Sequence, residues 1–207
     1  MKKVIGVVVA LLLAITLLPA CDDTSSGYTG FIAPAEGQWA EYVISTNGGE
    51  SHQKMEYIGQ DTVNGKTCTG FEMTISGQEE TIMQIWTETA TGQAVKYVVK
   101  MGDQVMCMDV GQSPYEPPET ETPGEYESNL PDITYGTYTT PTGKTVNVAT
   151  FAIGGGETWV SGQVPFGMVK IIDASGETTM YLYDFGMTGA HRDISKTEME
   201  NCTQMPG

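Results

Sequence analysis

Basic residues are scarce in this 207-residue chain, which has 10 Lys and Arg side chains against 26 Asp and Glu. The formal net charge of −16 argues against nucleic acid and against bare anionic lipid as partners, because both are bound mainly through clustered positive charge. Only 17% of the residues are charged. Solubility therefore rests on Thr, Ser, Gln and Asn and on an unbalanced acidic surface.

Patterns of catalytic and metal-ligating residues are also lacking. The two histidines, His52 and His191, have no second His or Cys at metal-binding spacing, and the sequence contains no G-x-S-x-G motif. Met106 and Met108 would suit Cu(I), but Cys107 between them faces the other side of a predicted strand, which favours packing in the core. The sequence predicts no enzyme, no metal site and no cofactor.

A long apolar run occurs once, over residues 4–18, and at about fifteen residues it is shorter than the ~20 of a membrane-spanning helix. Two lysines precede the run and the sequence LPAC follows it at residues 18–21. This arrangement resembles the signal peptide of prokaryotic lipoproteins. The resemblance implies that residues 1–20 are removed and that Cys21 carries the lipid that anchors the mature protein.

The resemblance also implies a location in the cell envelope. Asp22 after the lipidated cysteine is similar to the inner-membrane retention signal of enteric bacteria, so we expect the protein at the outer face of the cytoplasmic membrane. Anchoring in the outer membrane is the alternative. Residues 21–37 are small and polar and are predicted to be a flexible tether. Loss of the signal peptide leaves 8 basic against 26 acidic side chains.

The remainder of the chain is predicted to be mainly β. Short runs of β-branched, aromatic and Met residues alternate with glycine-containing turns, which is typical of an antiparallel meander. We expect a single, strongly curved sheet in the form of a half-open barrel with little helix. Its strands, about ten in number, are predicted at 38–46, 52–60, 66–75, 79–88, 93–101, 104–110, 144–153, 157–161, 167–173 and 178–185.

Alternation within the strands predicts one buried and one solvated face of this sheet. Phe71, Met73 and Ile75 share one face, whereas Glu72 and Thr74 take the other. We therefore expect an apolar concave face and a wetted convex face.

Two segments depart from the strand pattern. Residues 111–136 contain five prolines, six acidic residues and no Lys or Arg, and they are predicted to be a solvated loop inserted in a β-rich domain of residues 38–190. A lid over the sheet is the functional alternative. Residues 191–207 form a C-terminal tail, in which Ser195 and Glu198 have the spacing of a capping box for a short helix within 193–204.

Turn and strand motifs in the body resemble those of a known family. Residues 38–101 contain W-x-E-Y, M-x-Y-x-G, V-N-G-K and I-W-T-E-x-x-T-G-Q-A-V-K, and residues 157–189 contain V-P-F-G-M-V-K and Y-L-Y-D-F-G. They resemble uncharacterised envelope lipoproteins and, more distantly, the curled-sheet superfamily of the lipoprotein carrier LolA and receptor LolB. The resemblance implies a half-open barrel whose concave face takes acyl chains. The chain lacks the amphipathic helices that plug this barrel in the family.

The expected function is therefore non-catalytic binding at the envelope membrane. In the first hypothesis an apolar or lipid ligand lies in the concave face, lined by Trp86, Trp159 and Phe166. In the alternative, the protein is a structural or interaction module whose acidic surface and Pro-rich loop meet a basic protein partner.

Three cysteines remain besides Cys21. An oxidising envelope permits one disulfide and leaves one thiol. A bridge from Cys68 to Cys107 would join the third and sixth strands, which are not neighbours in a simple meander. A bridge from Cys202 to either Cys68 or Cys107 is the preferred prediction, and the choice between them stays open.

Overall fold

The computed structural model describes residues 32–33, 35–46, 49–77, 79–110 and 132–205. The predicted signal peptide of residues 1–20, the lipid-bearing Cys21, most of the tether and residues 111–131 of the Pro-rich insertion lie outside this part of the chain. Within it, no helix is long and apolar enough to cross a membrane.

Twelve strands and one short helix make up the described part of the chain. The strands are β1 Trp39–Thr46, β2 Gly49–Val63, β3 Lys66–Ser76, β4 Thr81–Glu88, β5 Ala94–Met101, β6 Gln104–Asp109, β7 Ile133–Thr139, β8 Thr145–Ile153, β9 Gly156–Val160, β10 Met168–Ile172, β11 Thr178–Gly186 and β12 Thr203–Gln204. The helix α1 is Lys196–Glu200.

All twelve strands belong to one sheet, in the order β12-β6-β5-β4-β3-β2-β1-β11-β10-β9-β8-β7. β1 to β6 form one antiparallel meander and β7 to β11 a second, and the two are joined by the antiparallel pair of β1 and β11. β12 pairs with β6 in parallel. The predicted mainly β, single-sheet fold is confirmed, and the sheet is not closed into a barrel.

The count of ten predicted strands was too low, and the proposed loop of residues 111–136 was too long. Residues 133–136 belong to β7 rather than to a loop. The sequence turns from Pro and Glu to Ile133, Thr134 and Tyr135, which favour extended backbone and keep their N–H donors for pairing. β12 was missed because it is only two residues long.

A core cluster forms where a loop at residues 161–167 folds against β1 to β3 and β8 to β11. Phe166 of this loop stacks on Tyr57 with the ring centroids 4.4 Å apart, and the Tyr42 hydroxyl donates to the Pro165 carbonyl. Phe166 has φ +65°, a left-handed conformation that is costly for an aromatic residue and is held here by the packing of its ring.

The prediction of a wetted second face is wrong over β2 to β6. Residues 190–205 run across this face, and Ile194 and Met199 pack there against Trp86, Val98 and the other buried side chains of a second core cluster. The polar side chains on the same face become buried with them. Both faces of the sheet are therefore covered at β2 and β3, where the first core cluster packs on the opposite side.

Candidate functional site

The three residues predicted to line an apolar cavity are not brought together. Trp86 has no exposed surface and lies in the cluster beneath the C-terminal segment. Phe166 is 6% exposed within the other core cluster. Trp159 is half-buried, with its ring 5.2 Å from the Lys170 ammonium. Trp159 packs against the same cluster as Phe166, whereas Trp86 belongs to the other cluster, so the three side chains do not form a common ligand surface.

Of the two disulfide pairings that the sequence left open, the structure contains the bridge between Cys107 and Cys202, with a Cα–Cα distance of 5.7 Å. It joins β6 to the segment just before β12. Cys68 is a free, buried thiol whose pKa is raised by desolvation, which makes it a poor nucleophile.

Three buried polar residues form a row across the sheet beneath the C-terminal segment. Glu56 of β2 is opposite Glu72 of β3, which is opposite Gln84 of β4. None of the three side chains is more than 1% exposed. The sequence predicted a solvated face for Glu72. The segment that covers this row is more than one hundred residues away in the chain, and a strand pattern does not reveal such a tertiary contact.

The Glu72 carboxylate fastens the C-terminal segment to the sheet. Its Oε1 accepts from the Asp193 N–H at 2.7 Å, and its Oε2 accepts from the Ile194 N–H at 3.1 Å and from the Gln84 amide at 2.7 Å. The same Gln84 amide group donates to the Ile194 carbonyl. Burial raises the pKa of Glu72, and the three N–H donors oppose that shift by favouring the ionised form.

Glu56 has a different set of partners. Its Oε1 accepts from the Lys54 ammonium at 2.7 Å and from the His191 N–H at 3.2 Å, and the His191 Nδ1 lies 3.5 Å away. Its Oε2 is buried and has no hydrogen-bond partner within the part of the chain that the structure describes. The Oγ1 of Thr74, the neighbouring residue on this face of β3, is likewise buried without a partner.

Arg192 adds a second attachment at the end of β2. Its guanidinium lies over the Trp86 ring, 4.9 Å from the centroid, and bonds to the Asp61 carboxylate at 3.3 Å. Lys196 lies 2.7 Å from the other Asp61 oxygen. A hydrogen bond from Lys196 is the main reason that the pKa of Asp61 is lowered.

The predicted capping box is confirmed at the start of α1. The Ser195 side chain accepts from the Glu198 N–H, and the Glu198 carboxylate accepts from the Ser195 N–H. Lys100 of β5 also donates to Glu198, at 2.7 Å. This bond and those from Ser195 lower the pKa of Glu198 to about 2.

We expect the contribution of Glu198 to the stability of the fold to depend on pH. Because its folded pKa of about 2 lies below the ordinary value of 4.5, its stabilising effect is complete above about pH 4.5 and is lost as the pH falls toward 2. The melting temperature of Glu198→Gln should be below that of the wild type at pH 7, and the difference should vanish near pH 2. A difference that is independent of pH would contradict this assignment.

β7 is an edge strand with one unpaired side. The Thr140 N–H donates to the Lys144 carbonyl at 2.8 Å, so the antiparallel alternation directs the main-chain groups of Gly136 and Tyr138 toward β8. Those of Tyr135 and Thr137 point away from it. Among the described residues, no strand pairs with this outer side.

The side chains at this edge are uncharged and partly apolar. Ile133, Tyr135 and Ile153 are 44%, 59% and 62% exposed, and they are three of the five large apolar side chains that are exposed in the described part of the chain. Ile133 is opposite Phe151, so Ile153 lies two residues further along the same face of β8. An open edge thus adjoins an exposed apolar patch.

Two clefts lie on the other half of the sheet, beside α1. The larger has a volume of about 480 Å³ and is lined by residues of the β5–β6 turn, of β6 and of the C-terminal segment, including Asp103 and Glu198. The smaller, of about 150 Å³, is lined by Glu79, Glu80, Ile82, Lys100 and Gly102. Carboxylates at both clefts make them unsuited to an acyl chain.

The fold and these surfaces define a mainly β protein built on one large open sheet, with a C-terminal segment bound to one face and an exposed edge at β7. No protein-family model matches the chain, and no curated protein matches it significantly.

Proposed function

We propose that this protein is a lipid-anchored component of the cell envelope that binds another protein by strand addition to β7. In this proposal Cys21 carries the lipid, residues 22–37 are the tether, and the domain lies at the outer face of the cytoplasmic membrane. The role is binding rather than catalysis. The observation that carries the proposal is the outer side of β7, with which no strand of the described residues pairs, beside an exposed apolar patch.

The chemistry of the edge indicates the kind of partner. An extended polypeptide can pair with the outward N–H and C=O groups of Tyr135 and Thr137, and its alternate side chains can cover Ile133 and Ile153. Exposed edges are normally protected by charge, by proline or by a covering segment, and β7 has neither charge nor proline. The net charge of −16 favours a partner strand with basic flanks, because opposite charge speeds association.

Site-specific cross-linking in intact cells tests this proposal. A benzophenone amino acid replaces Ile153, and the same probe at Met187, which is also exposed, serves as the control position. We expect an adduct with a protein partner from position 153 and not from position 187.

Paired substitutions at Thr137 then separate strand addition from other contacts. Thr137→Pro removes an outward N–H without removing a bond to β8, and edge strands tolerate proline in this orientation. Thr137→Val keeps the N–H. Since a lost main-chain bond and the clash of the proline ring together cost about 1.5–3 kcal/mol, Thr137→Pro should lower the adduct yield about tenfold or more, and Thr137→Val should not. Equal yields from the two variants would refute pairing at this edge.

Apolar-ligand binding is a second candidate, favoured by the face of β4 to β6 that is opposite the C-terminal segment. Met83, Val99 and Met106 are aligned across these strands and are only half-buried. A face rich in Met can adapt to an acyl chain, as the likeness to the LolA and LolB superfamily implies. Uptake of a fluorescent fatty acid by the full chain would support this candidate, and the absence of uptake would count against it.

A further inference from the structure

We propose that Glu56, Glu72 and Asp193 form a binding site for a calcium ion beneath the C-terminal segment. The three residues come from β2, from β3 and from the segment that crosses them. One carboxylate oxygen of each lies within 4.8 Å of the corresponding oxygens of the other two. The proposal does not depend on strand addition at β7, which lies at one edge of the sheet, whereas β2 and β3 are central strands.

The spacing of these oxygens suits calcium. Ca–O bonds are about 2.3–2.6 Å long, so two ligands on opposite sides of the ion are about 4.6–5.2 Å apart. Magnesium demands near-ideal octahedral geometry and usually keeps several of its waters, so a site made of several protein oxygens favours calcium. A set of carboxylate oxygens without a thiolate also favours a hard cation over zinc or copper.

A second observation concerns hydrogen bonding rather than the spacing of the carboxylates, and it points to a ligand here. Glu56 is 1% exposed, yet its Oε2 has no hydrogen-bond partner among the described residues. A buried carboxylate oxygen without a partner is costly. A cation bound to this oxygen would remove that cost.

The positively charged groups around the cluster do not neutralise all of its carboxylates. Lys54 bonds to the Oε1 of Glu56, and His191 lies 3.0 Å from Asp193 through its Nε2. Arg192 is directed to Asp61 instead. Among the carboxylate and ammonium groups, three carboxylates face the single ammonium group of Lys54. An ion bound to all three carboxylates would fasten residue 193 to the sheet.

Calcium titration of the full chain, purified in detergent and treated with a chelator, tests the site. Thermal unfolding at pH 7 should shift upward by about 5 °C or more when calcium is present at 100 times its dissociation constant. Magnesium should give a smaller shift at the same concentration. Terbium should bind in place of calcium and emit on excitation of tryptophan, because Trp86 bonds to Gln84, which bonds to Glu72.

Matched variants locate the ion. Glu56→Gln should weaken calcium binding at least tenfold, and Asp193→Asn, at a partly exposed position where folding is less at risk, should do the same. Glu50→Gln removes the same charge from an exposed position on β2 and should respond as the wild type does. The proposal is overturned if calcium at about 5 mM, which exceeds the weak limit of about 1 mM for extracellular calcium modules, neither shifts thermal unfolding nor produces heat in calorimetry. It is also overturned if Glu56→Gln and Asp193→Asn both bind calcium as the wild type does.

Discussion

Reduction of the disulfide between Cys107 and Cys202 should lower the free energy of unfolding by about 2–4 kcal/mol. The two cysteines are 95 residues apart, and closing a loop of that size removes much conformational entropy from the unfolded chain. The chain-entropy model gives about 4.7 kcal/mol for a loop of about 100 residues, and we expect the free energy of unfolding to fall by less than this. The Glu72 carboxylate and the Arg192 contacts still hold the C-terminal segment after reduction.

Denaturant unfolding of the wild type with and without a reductant measures this effect. Cys202→Ser is the preferred variant because Cys107 is completely buried. The variant should unfold at the same denaturant concentration as the reduced wild type, and reductant should not change it further. If reductant leaves the wild-type transition unchanged, the bridge does not stabilise the fold.

Replacement of Trp86 by alanine should destabilise the protein by about 3–5 kcal/mol, which is the usual range for a fully buried aromatic residue. The ring packs in the second core cluster, its Nε1 donates to Gln84 at 3.1 Å, and the Arg192 guanidinium lies over it. Trp159→Ala is the matched control. Its ring is only half-buried, so the loss should be clearly smaller.

A double-mutant cycle with Gly70 tests the placement of Trp86 more sharply. A Cβ at Gly70 would lie 2.7 Å from the Trp86 ring, so Gly70→Ala should cost about 1–3 kcal/mol in the wild type. In the Trp86→Ala background the same change should cost clearly less, since the ring is gone and only the Ile58 side chain, 2.9 Å from the Cβ, has to shift. Additive effects would contradict the packing of the ring on Gly70.

The sequence was sufficient to predict the sheet and its meander. Turns such as Asn64-Gly65 mark where one strand ends and the next begins, and the short helix follows from Ser195 and Glu198. β7 was not predicted. Its uncharged sequence directly follows a Pro- and Glu-rich stretch, and its first residues were therefore assigned to the same loop. The choice between Cys68 and Cys107 as the partner of Cys202 needed the three-dimensional positions of all three.

The buried acidic row could not be predicted from the sequence. Glu56, Glu72 and Gln84 occupy polar positions in strands with an alternating pattern, and such positions normally face water. Their alignment becomes visible only with the strand register, and their burial only with the C-terminal segment in place. The same contact explains why Trp86, which the ligand-binding hypothesis placed in the concave face, lies in the core.

Amide hydrogen exchange along β7 is the most direct measurement of the central claim, that this strand accepts a partner strand. In the free protein, the amides of Gly136 and Tyr138 should exchange slowly because they pair with β8, whereas those of Tyr135 and Thr137 should exchange rapidly. In the complex with the partner captured by cross-linking, Tyr135 and Thr137 should become protected as well. Slow exchange of these two amides in the free protein, or rapid exchange in the complex, would contradict strand addition at β7.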